Sequence, residues 1–359
     1  MDDAAPTPRR AREMRDVDLV RRTLIVLGVV ALAYAAYLLS GVLLLAFASV
    51  LIAVLLHALA DVLARRTPVP ERWSLLVAGV TVLLILATIG VLFGTAIRGQ
   101  ISGVADRLPA ALDEFTRGLG IGEVSGRLPE MLGGDGGNFA GRIASLGSTL
   151  LGAIADALLV VIASVFIAIS PKVYRVGLVK LFPVSDHPRV EGALDASGAA
   201  LKLWIVAQLI SMTFVAVAAA LALWLIGVPS AIGLALIVGL ADFMPFIGPV
   251  IGALPAVLLA LTVSPETALY TALAFVVIQQ LENNVVFPLA GNEVLSVPPA
   301  LGLFAIVAAG VLFGPLGLLL GFPLAVIAFV LVKKLYVRET LGEETPVPGE
   351  ENAEGAEPA

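Results

Sequence analysis

Five polar side chains occupy six consecutive positions near the end of one apolar run. They are Gln279, Gln280, Glu282, Asn283 and Asn284. A carboxyl or carboxamide group within a membrane span is costly, so it is usually buried in protein or lines a water-filled cavity. The cluster predicts a face that binds a solute or an ion, with Glu282 as a charge or proton carrier. The alternative is a polar cap at the membrane interface, or amides that hydrogen-bond neighbouring helices together.

A second acid stands beside a break in an apolar segment. Asp242 lies in LADFMPFIGPVIGALPAVLLAL, residues 240–261, which also holds three prolines. Prolines leave backbone carbonyls unpaired, and oxygen ligands suit hard cations, so Asp242 could bind a cation or relay protons. The alternative is that Asp242 caps a half-helix beginning near Met244. Gln208, a lone amide in the preceding apolar run, is expected to bond one helix to another.

Two apolar segments are too long and too interrupted to be straight spans. Residues 230–262 would form a helix of about 50 Å, against a hydrocarbon core of about 30 Å. This segment either unwinds in the middle or re-enters as a hairpin, and residues 297–336 show the same pattern. Backbone positions in both breaks are predicted to shape a gate or hinge. They are Pro245, Gly248, Pro249, Gly252, Pro255, Gly314, Pro315, Gly317 and Pro323.

Composition fixes the class of protein. Apolar residues make up 59% of the 359 and charged residues 14%, against about half and a quarter in soluble domains. We expect an all-α polytopic membrane protein with about eight transmembrane segments by hydropathy, two of them broken or re-entrant in the C-terminal half. The chain has no cysteine, no HExxH, no GxSxG and no Walker A motif. These absences favour a protein that is not an enzyme and that has no metal site and no cofactor beyond a coupling H⁺ or Na⁺.

Charge and hydropathy divide the chain into six regions. They are a basic cytoplasmic arm (1–22), N-terminal transmembrane segments (23–97), an extracytoplasmic amphipathic region (98–147), a fourth span with its cytoplasmic connector (148–202), a transport core with broken helices (203–337) and a disordered acidic tail (338–359). Basic short loops stay in the cytoplasm, so both termini are expected there, in the cell membrane. The basic segments suit anionic lipid headgroups of the bilayer and not nucleic acid.

The two breaks repeat each other. FIGPVIGALPA, residues 246–256, is similar to FGPLGLLLGFPLA, residues 313–325, and a full-length span precedes each. One of those spans would run outward and the other inward. If both breaks are hairpins, they form an inverted pair, which is the pattern of a transporter core with discontinuous helices.

The motifs MPFIGP, QQLENN and FGPLG, in this order, resemble those of the AI-2E family, named after export of the quorum-sensing signal autoinducer-2. The resemblance is strongest from about residue 201 to residue 336. It implies a multi-spanning transporter that forms a homo-oligomer, with a pentamer as one candidate. Family members are divided between signal export and sodium/proton antiport.

Three functions therefore remain open. The main hypothesis is a secondary transporter, facilitator or exporter of a small polar solute, similar to an autoinducer-2 exporter. A sodium/proton antiporter using Asp242 and Glu282 is a close alternative. A membrane scaffold or regulator that transports nothing is the third, and it predicts that the polar side chains are all engaged in fixed helix contacts.

Overall fold

The computed structural model describes residues 8–70, 73–84, 155–289 and 297–348, and the regular elements in these ranges are all helical. The predicted amphipathic region 98–147 lies outside the described residues. So do the ends of the runs that flank it, the first seven residues of the arm and the tail beyond residue 348.

The chain divides into two units, Met1–Phe47 and Ala48–Ala359. The first contains α1 (Pro8–Leu38) and the start of α2 (Ser40–Arg66). The Leu39 amide donates to the Ala35 carbonyl, and the Leu43 amide donates to the Leu39 carbonyl. Helical hydrogen bonding therefore continues through the irregularity between the two helices.

Among the described residues, the second unit holds the rest of α2 and eight further helices of nine residues or more, besides short helical turns at Val184–Asp186 and Phe287–Leu289. The eight helices are α3 (Trp73–Leu84), α4 (Ala155–Ile169), α5 (Pro171–Val179), α6 (His187–Ile226), α7 (Ala231–Ala241), α8 (Gly248–Leu261), α9 (Pro265–Leu281) and α10 (Pro299–Leu331). Wider π-helical turns, Glu282–Val286 and Val332–Arg338, extend α9 and α10.

Helix α6 is the axis on which the C-terminal half is arranged. Its 40 residues make it about 60 Å long. Pro188 stands in its first turn, where a missing amide hydrogen costs nothing, and Gly227 ends it with a left-handed φ of 83°. Helices α7, α9 and α10 all pack against α6.

Helices α7 and α8 form a helical hairpin, here called hairpin 1. The carbonyl of Ala241 lies so close to Gly248 that a Cβ could not fit there, and a Cβ on Gly252 would be 2.8 Å from the Cα of Val238. As the chain advances from Gly248 to Gly252 in α8, its contacts in α7 go back from Ala241 to Val238, so the two helices are antiparallel. Arms of 11 and 14 residues are about 16 and 21 Å long, too short to cross a 30 Å core. The segment 230–262 is therefore a helical hairpin, and neither arm is long enough to cross a membrane alone.

Helix α10 also folds back on itself, because it consists of two helical segments joined at a kink. Gly314, with φ 69° and ψ −149°, departs from helical geometry in its middle. A Cβ on Gly321 would lie 2.8 Å from the Cα of Ile306, and Gly317 touches the carbonyl of Ala309. In a straight helix, residues 15 apart would be about 22 Å apart. Residues 299–313 and 315–331 are thus the two arms of hairpin 2.

The two hairpins use the same packing device. Gly248 and Gly252 stand four residues apart on the second arm of hairpin 1, and Gly317 and Gly321 do so on the second arm of hairpin 2. Each pair lets the two backbones approach closely, which is how small residues hold helices together in membranes. The short sequence repeat therefore corresponds to a repeated structure.

Hairpin 1 points toward the N-terminal end of α6. Gly239 in α7 packs against Ala216, whereas the carbonyl of Asp242, three residues later, accepts a hydrogen bond from Gln208. Contacts on α6 thus move back toward its start as α7 approaches the tip.

Hairpin 2 points the other way. The ring of Phe322 lies 6.0 Å from that of Trp204, and Glu339 forms an ion pair with Arg189 at 3.0 Å. The second arm therefore runs toward the start of α6 as it leaves the tip at Gly314. The tip itself lies in the direction of the C-terminal end of α6. Relative to α6 the hairpins are inverted, as the sequence repeat predicts.

Eight full crossings are not confirmed. By length and composition, four described stretches could cross a membrane, and the bent pair α4 and α5 would make a fifth. They are Ser40–Arg66, Val184–Ile226, Pro265–Leu289 and Pro299–Arg338. The last one doubles back at Gly314, so it does not cross as one straight helix. The chain is confirmed as helical, with several segments of membrane length.

The first residues of the predicted disordered tail contact the end of the helical region. The carbonyl of Thr345 accepts a hydrogen bond from Arg338, and that of Pro346 accepts one from Lys333. Val347 is buried. The acidic, Pro-rich composition of the tail does not predict these hydrogen bonds, because backbone carbonyls and not side chains accept them.

The close approach in hairpin 1 can be tested by adding a single methyl group. We expect Gly252→Ala to lower the free energy of unfolding by about 1–3 kcal/mol, because backbone atoms of Val238 would have to move. Gly198→Ala in α6 is the matched control, since a Cβ there meets nothing within 4 Å. Unfolding in mixed detergent micelles measures both. Equal effects from the two substitutions would contradict the hairpin contact.

Candidate functional site

Two buried carboxyl groups meet at the tip of hairpin 1. Asp242 and Glu282 are 1% and 2% exposed, and their side chains lie close enough to interact electrostatically. The Ser211 hydroxyl contacts both and donates to Oε1 of Glu282. Gln279 Nε2 donates to Oε2 of Glu282 at 2.7 Å. The structure thus joins two acids that lie 40 positions apart in sequence.

Three helices position this pair. Residue Ser211 faces it from α6, and Asp242 is the C-cap residue at the end of α7. Glu282 begins the π-helical turn that follows α9. Helix α9 starts at a Ser264 cap, whose side chain accepts from the Thr267 amide at 3.0 Å. Wide turns of this kind occur often at functional sites, because they turn side chains away from the regular helical positions.

Asp242 is not the cap of the second half-helix. Helix α8 begins at Gly248, not near Met244, and no side chain caps its first turn. The N-cap prediction was wrong because residues 243–247 form the irregular tip, which separates Asp242 from α8. The expected role of Gln208 is confirmed, since its Nε2 donates to the Asp242 carbonyl at 2.7 Å and ties α6 to the tip.

Two buried acceptor oxygens of this cluster have no hydrogen-bond partner among the described residues. They are Oδ2 of Asp242 and Oε1 of Gln208. A buried polar atom without a partner costs about 1–3 kcal/mol, so such atoms call for an explanation. Both are oxygens, which suit a proton or a hard cation such as Na⁺.

The charges of Asp242 and Glu282 also favour binding of a proton or a cation. The partners of the two carboxyl groups in the described chain are Ser211, Gln279 and each other, with no basic side chain among them. Two adjacent negative charges in a low-dielectric interior repel strongly. A proton or a cation at the pair relieves this repulsion, so the cluster can act as a binding site for one of them.

The remaining polar residues form an outer layer. Gln280, Asn283 and Asn284 are exposed on the surface of the chain, and Asn284 Nδ2 donates to the Gln280 backbone carbonyl at 2.8 Å. Ser211 is nine residues, or about 13 Å, along α6 from Lys202. The amides therefore lie within the apolar length of the helices. Contact with lipid there is unfavourable, which favours a water-filled path or a protein neighbour.

Aromatic rings cover the tip of hairpin 1. Trp204 packs edge-on against Phe243 at 5.6 Å, and Phe322 of hairpin 2 contacts both Trp204 and Phe246. Phe246 has φ 69°, a left-handed conformation that a bulky residue rarely adopts and that costs about 1–3 kcal/mol. The two hairpins thus touch through aromatic side chains next to the acid pair.

The predicted gate residues lie in the two hairpins, and Gly248 packs against the backbone of Asp242. Pro245 is in the tip, and Pro249 in the first turn of α8 is without cost because that amide has no helical partner. Pro255 and Pro323 stand within helical arms, and Pro315 follows the Gly314 turn.

Sequence reasoning missed several residues of the site. Ser211, Trp204, Phe246 and Phe322 received no role, because a serine or an aromatic in an apolar run is ordinary. Only their placement around Asp242 and Glu282 distinguishes them.

Comparison with known proteins gives consistent matches. The model of a family described as AI-2E family transporter matches residues 25–336. The protein YueF of Bacillus subtilis, which carries the name of a transport protein, is 26% identical over 71% of this chain and 74% of its own length. YrrI of the same organism is 30% identical over 42% of this chain, and MT0215 of Mycobacterium tuberculosis is 31% identical over 50%. The matches span 43% of YrrI and 49% of MT0215.

A double-mutant cycle tests the contact between Ser211 and Glu282. We expect Ser211→Ala and Glu282→Gln to be coupled by about 0.5–3 kcal/mol in the free energy of unfolding, because each residue is the other's buried partner. Ser197→Ala is the control in the same helix. The Ser197 hydroxyl is buried without a described partner, so its loss should be neutral or slightly stabilising. A coupling near zero would contradict the arrangement.

Proposed function

Because the chain belongs to the AI-2E family of transporters, we propose that it is a secondary transporter or facilitator that moves a small polar solute across the cell membrane. Its relatives carry the names of transport proteins, which favours transport over catalysis. Export of autoinducer-2 or a similar signal is the specific form that we propose. We further propose that both termini are cytoplasmic and that the chain works as a homo-oligomer, for which a pentamer is one candidate.

The observation that carries the proposal is the pair of inverted hairpins meeting beside two buried acids. Discontinuous helices of opposite direction are the frame on which many secondary transporters build a central site. In this chain the second arm of hairpin 2 reaches the tip of hairpin 1 through Phe322 and Phe246. A movement of either hairpin would therefore open or close the space next to Asp242.

In the proposed path the solute follows the outer amides. Gln280, Asn283 and Asn284 supply donors and acceptors without net charge, which suits hydroxyl and carbonyl groups of a small polar molecule. The strained tip at Phe246 would act as the gate, because a conformation held under strain has a low cost of change.

Sodium/proton antiport is the second candidate, and the acid pair favours it. Asp242 and Glu282 together could hold either protons or one Na⁺, with Ser211 and Gln208 adding neutral oxygens. If both ions compete for the same oxygens, binding of one releases the other, which is the requirement for exchange. In the solute transporter the same site would hold the coupling ion.

A scaffold without transport activity is less consistent with this geometry. It predicts that the acid and amide side chains are all engaged in fixed helix contacts. Asp242 Oδ2 and Gln208 Oε1 have no partner among the described residues, and three amides are exposed at the depth of the apolar helices. Unpartnered buried oxygens and exposed amides at this depth are energetically unfavourable, and they are expected at a site that binds a solute or an ion more than at a purely structural contact.

Efflux of autoinducer-2 from inside-loaded proteoliposomes tests the solute path. We expect Gln280→Ala and Asn284→Ala to slow efflux, since each removes a polar contact from the path. Val285→Ala, an exposed residue on the same turn, is the control and should leave efflux unchanged. If efflux is no faster than from liposomes that lack the protein and are loaded in the same way, autoinducer-2 is not the substrate. If all three variants lose the same fraction of the efflux rate, the proposed path along the amides is wrong.

Antiport is tested separately with a proton gradient. In proteoliposomes that hold an acid-inside gradient, external Na⁺ should dissipate the gradient, and Glu282→Gln or Asp242→Asn should abolish this response. Glu266→Gln, an exposed acid at the start of the same helix α9, should retain it. A protein without any sodium response is not an antiporter, whatever its solute.

A further inference from the structure

The chain turns sharply where the fourth apolar run ends. Helices α4 and α5 meet at Ser170 with an angle of 87° between them. If α4 runs along the membrane normal, then α5 lies nearly in the plane of the membrane. The sequence predicts that this segment begins the cytoplasmic connector, and on that prediction the bend lies at the cytoplasmic boundary.

One side of α5 is fixed to the extension of α6. Arg175 forms ion pairs with Glu191 at 2.9 Å and with Asp195 at 2.6 Å, and Val179 is buried. Both acids belong to the part of α6 that precedes its apolar run. This side of α5 is therefore already occupied by protein.

The opposite side of α5 and the loop after it are apolar and exposed. We call this set the connector patch, and its exposed fractions run from 46% to 80%. It consists of Val173, Val176, Leu181, Phe182 and Val184. In contact with water so large an apolar set would be unfavourable, so another surface must cover it.

Charge and depth indicate which surface that is. Lys172 and Lys180 are exposed beside the patch, and neither has an ion-pair partner among the described residues. Asp195 lies seven residues, or about 10 Å, before Lys202, where the apolar run of α6 begins. The headgroup layer adds roughly 5–8 Å beyond each side of the hydrocarbon core. The contact with Asp195 therefore lies near the outer edge of the headgroup layer. Helix α5 itself is separated by one residue from the end of the apolar helix α4, which places it close to the level of the lipid headgroups.

We propose that α5 and the following loop form a membrane-surface anchor that binds anionic phospholipid. The connector patch inserts at the boundary of the acyl chains, and Lys172 and Lys180 bind the headgroup phosphates. A short helix with apolar residues on one side and lysines beside them has the character of an interfacial segment. Each lysine near an anionic surface adds about 1 kcal/mol of attraction.

The anchor would hold α6 at a fixed height. Because Arg175 joins α5 to Glu191 and Asp195, a bound lipid surface is coupled to the axis against which both hairpins pack. This inference rests on the membrane setting and not on the solute or ion that is transported.

Because the chain has no cysteine, a single label can be placed on the patch. Leu181→Cys and Val184→Cys would each be labelled with a polarity-sensitive fluorophore and reconstituted in phosphatidylglycerol vesicles with a nitroxide lipid. We expect at least about twofold stronger quenching than for Glu344→Cys, an exposed acid of the C-terminal segment. Water-like emission with no extra quenching at residues 181 and 184 would overturn the proposal.

The choice of lipid is tested with Lys172→Gln and Lys180→Gln combined with the labelled Leu181→Cys. The quenching should fall in phosphatidylglycerol and should change little in phosphatidylcholine. Equal quenching with and without the lysines would overturn binding of anionic headgroups. Emission that becomes water-like when the protein is diluted in lipid would instead show that a second copy covers the patch. An unchanged gel-filtration profile confirms that each variant is folded.

Discussion

Two carboxyl groups in contact inside an apolar bundle are the constraint around which the C-terminal half is organised. Asp242 and Glu282 have no basic partner in the described chain, so neutral donors, a proton or a cation must offset their repulsion. Ser211 and Gln279 supply part of this. Two oxygens nearby have no partner among the described residues, and this is the observation behind the proposed binding of a proton or a cation.

Hairpin 1 places the carboxyl group of Asp242 within the apolar part of the helical bundle. Irregular backbone is tolerated within a membrane only when protein or a cavity surrounds it. The tip of hairpin 1 is such a segment, and α6, α9 and the aromatic rings of hairpin 2 surround it. Glycines at the closest contacts let the two arms of each hairpin pack backbone against backbone. Packing, and not side-chain chemistry, is therefore what most of the predicted gate residues contribute.

The inverted arrangement also connects the site to the membrane boundary. Hairpin 2 continues into the turns that bind Arg189 at the start of α6, while α5 is tied to the same extension through Arg175. Movement of a hairpin relative to α6 would therefore work against the ion pairs at the start of α6. Transport proteins need one fixed frame and one moving element, and in this chain α6 with its extension has the contacts of the fixed frame.

The sequence alone indicated that the protein lies in a membrane and is helical, that two apolar segments are broken, and that residues 279–284 form a polar cluster. These follow from composition, length and proline positions, which act locally along the chain. It also indicated that the breaks repeat. The repeat predicted an inverted pair on the condition that both breaks are hairpins, and only the tertiary structure decided that they are. It also decided that Asp242 lies beside Glu282 and not at the start of α8. It also separated Glu282, which is buried, from Gln280, Asn283 and Asn284, which are exposed. These outcomes depend on contacts between residues tens of positions apart, which no local pattern encodes.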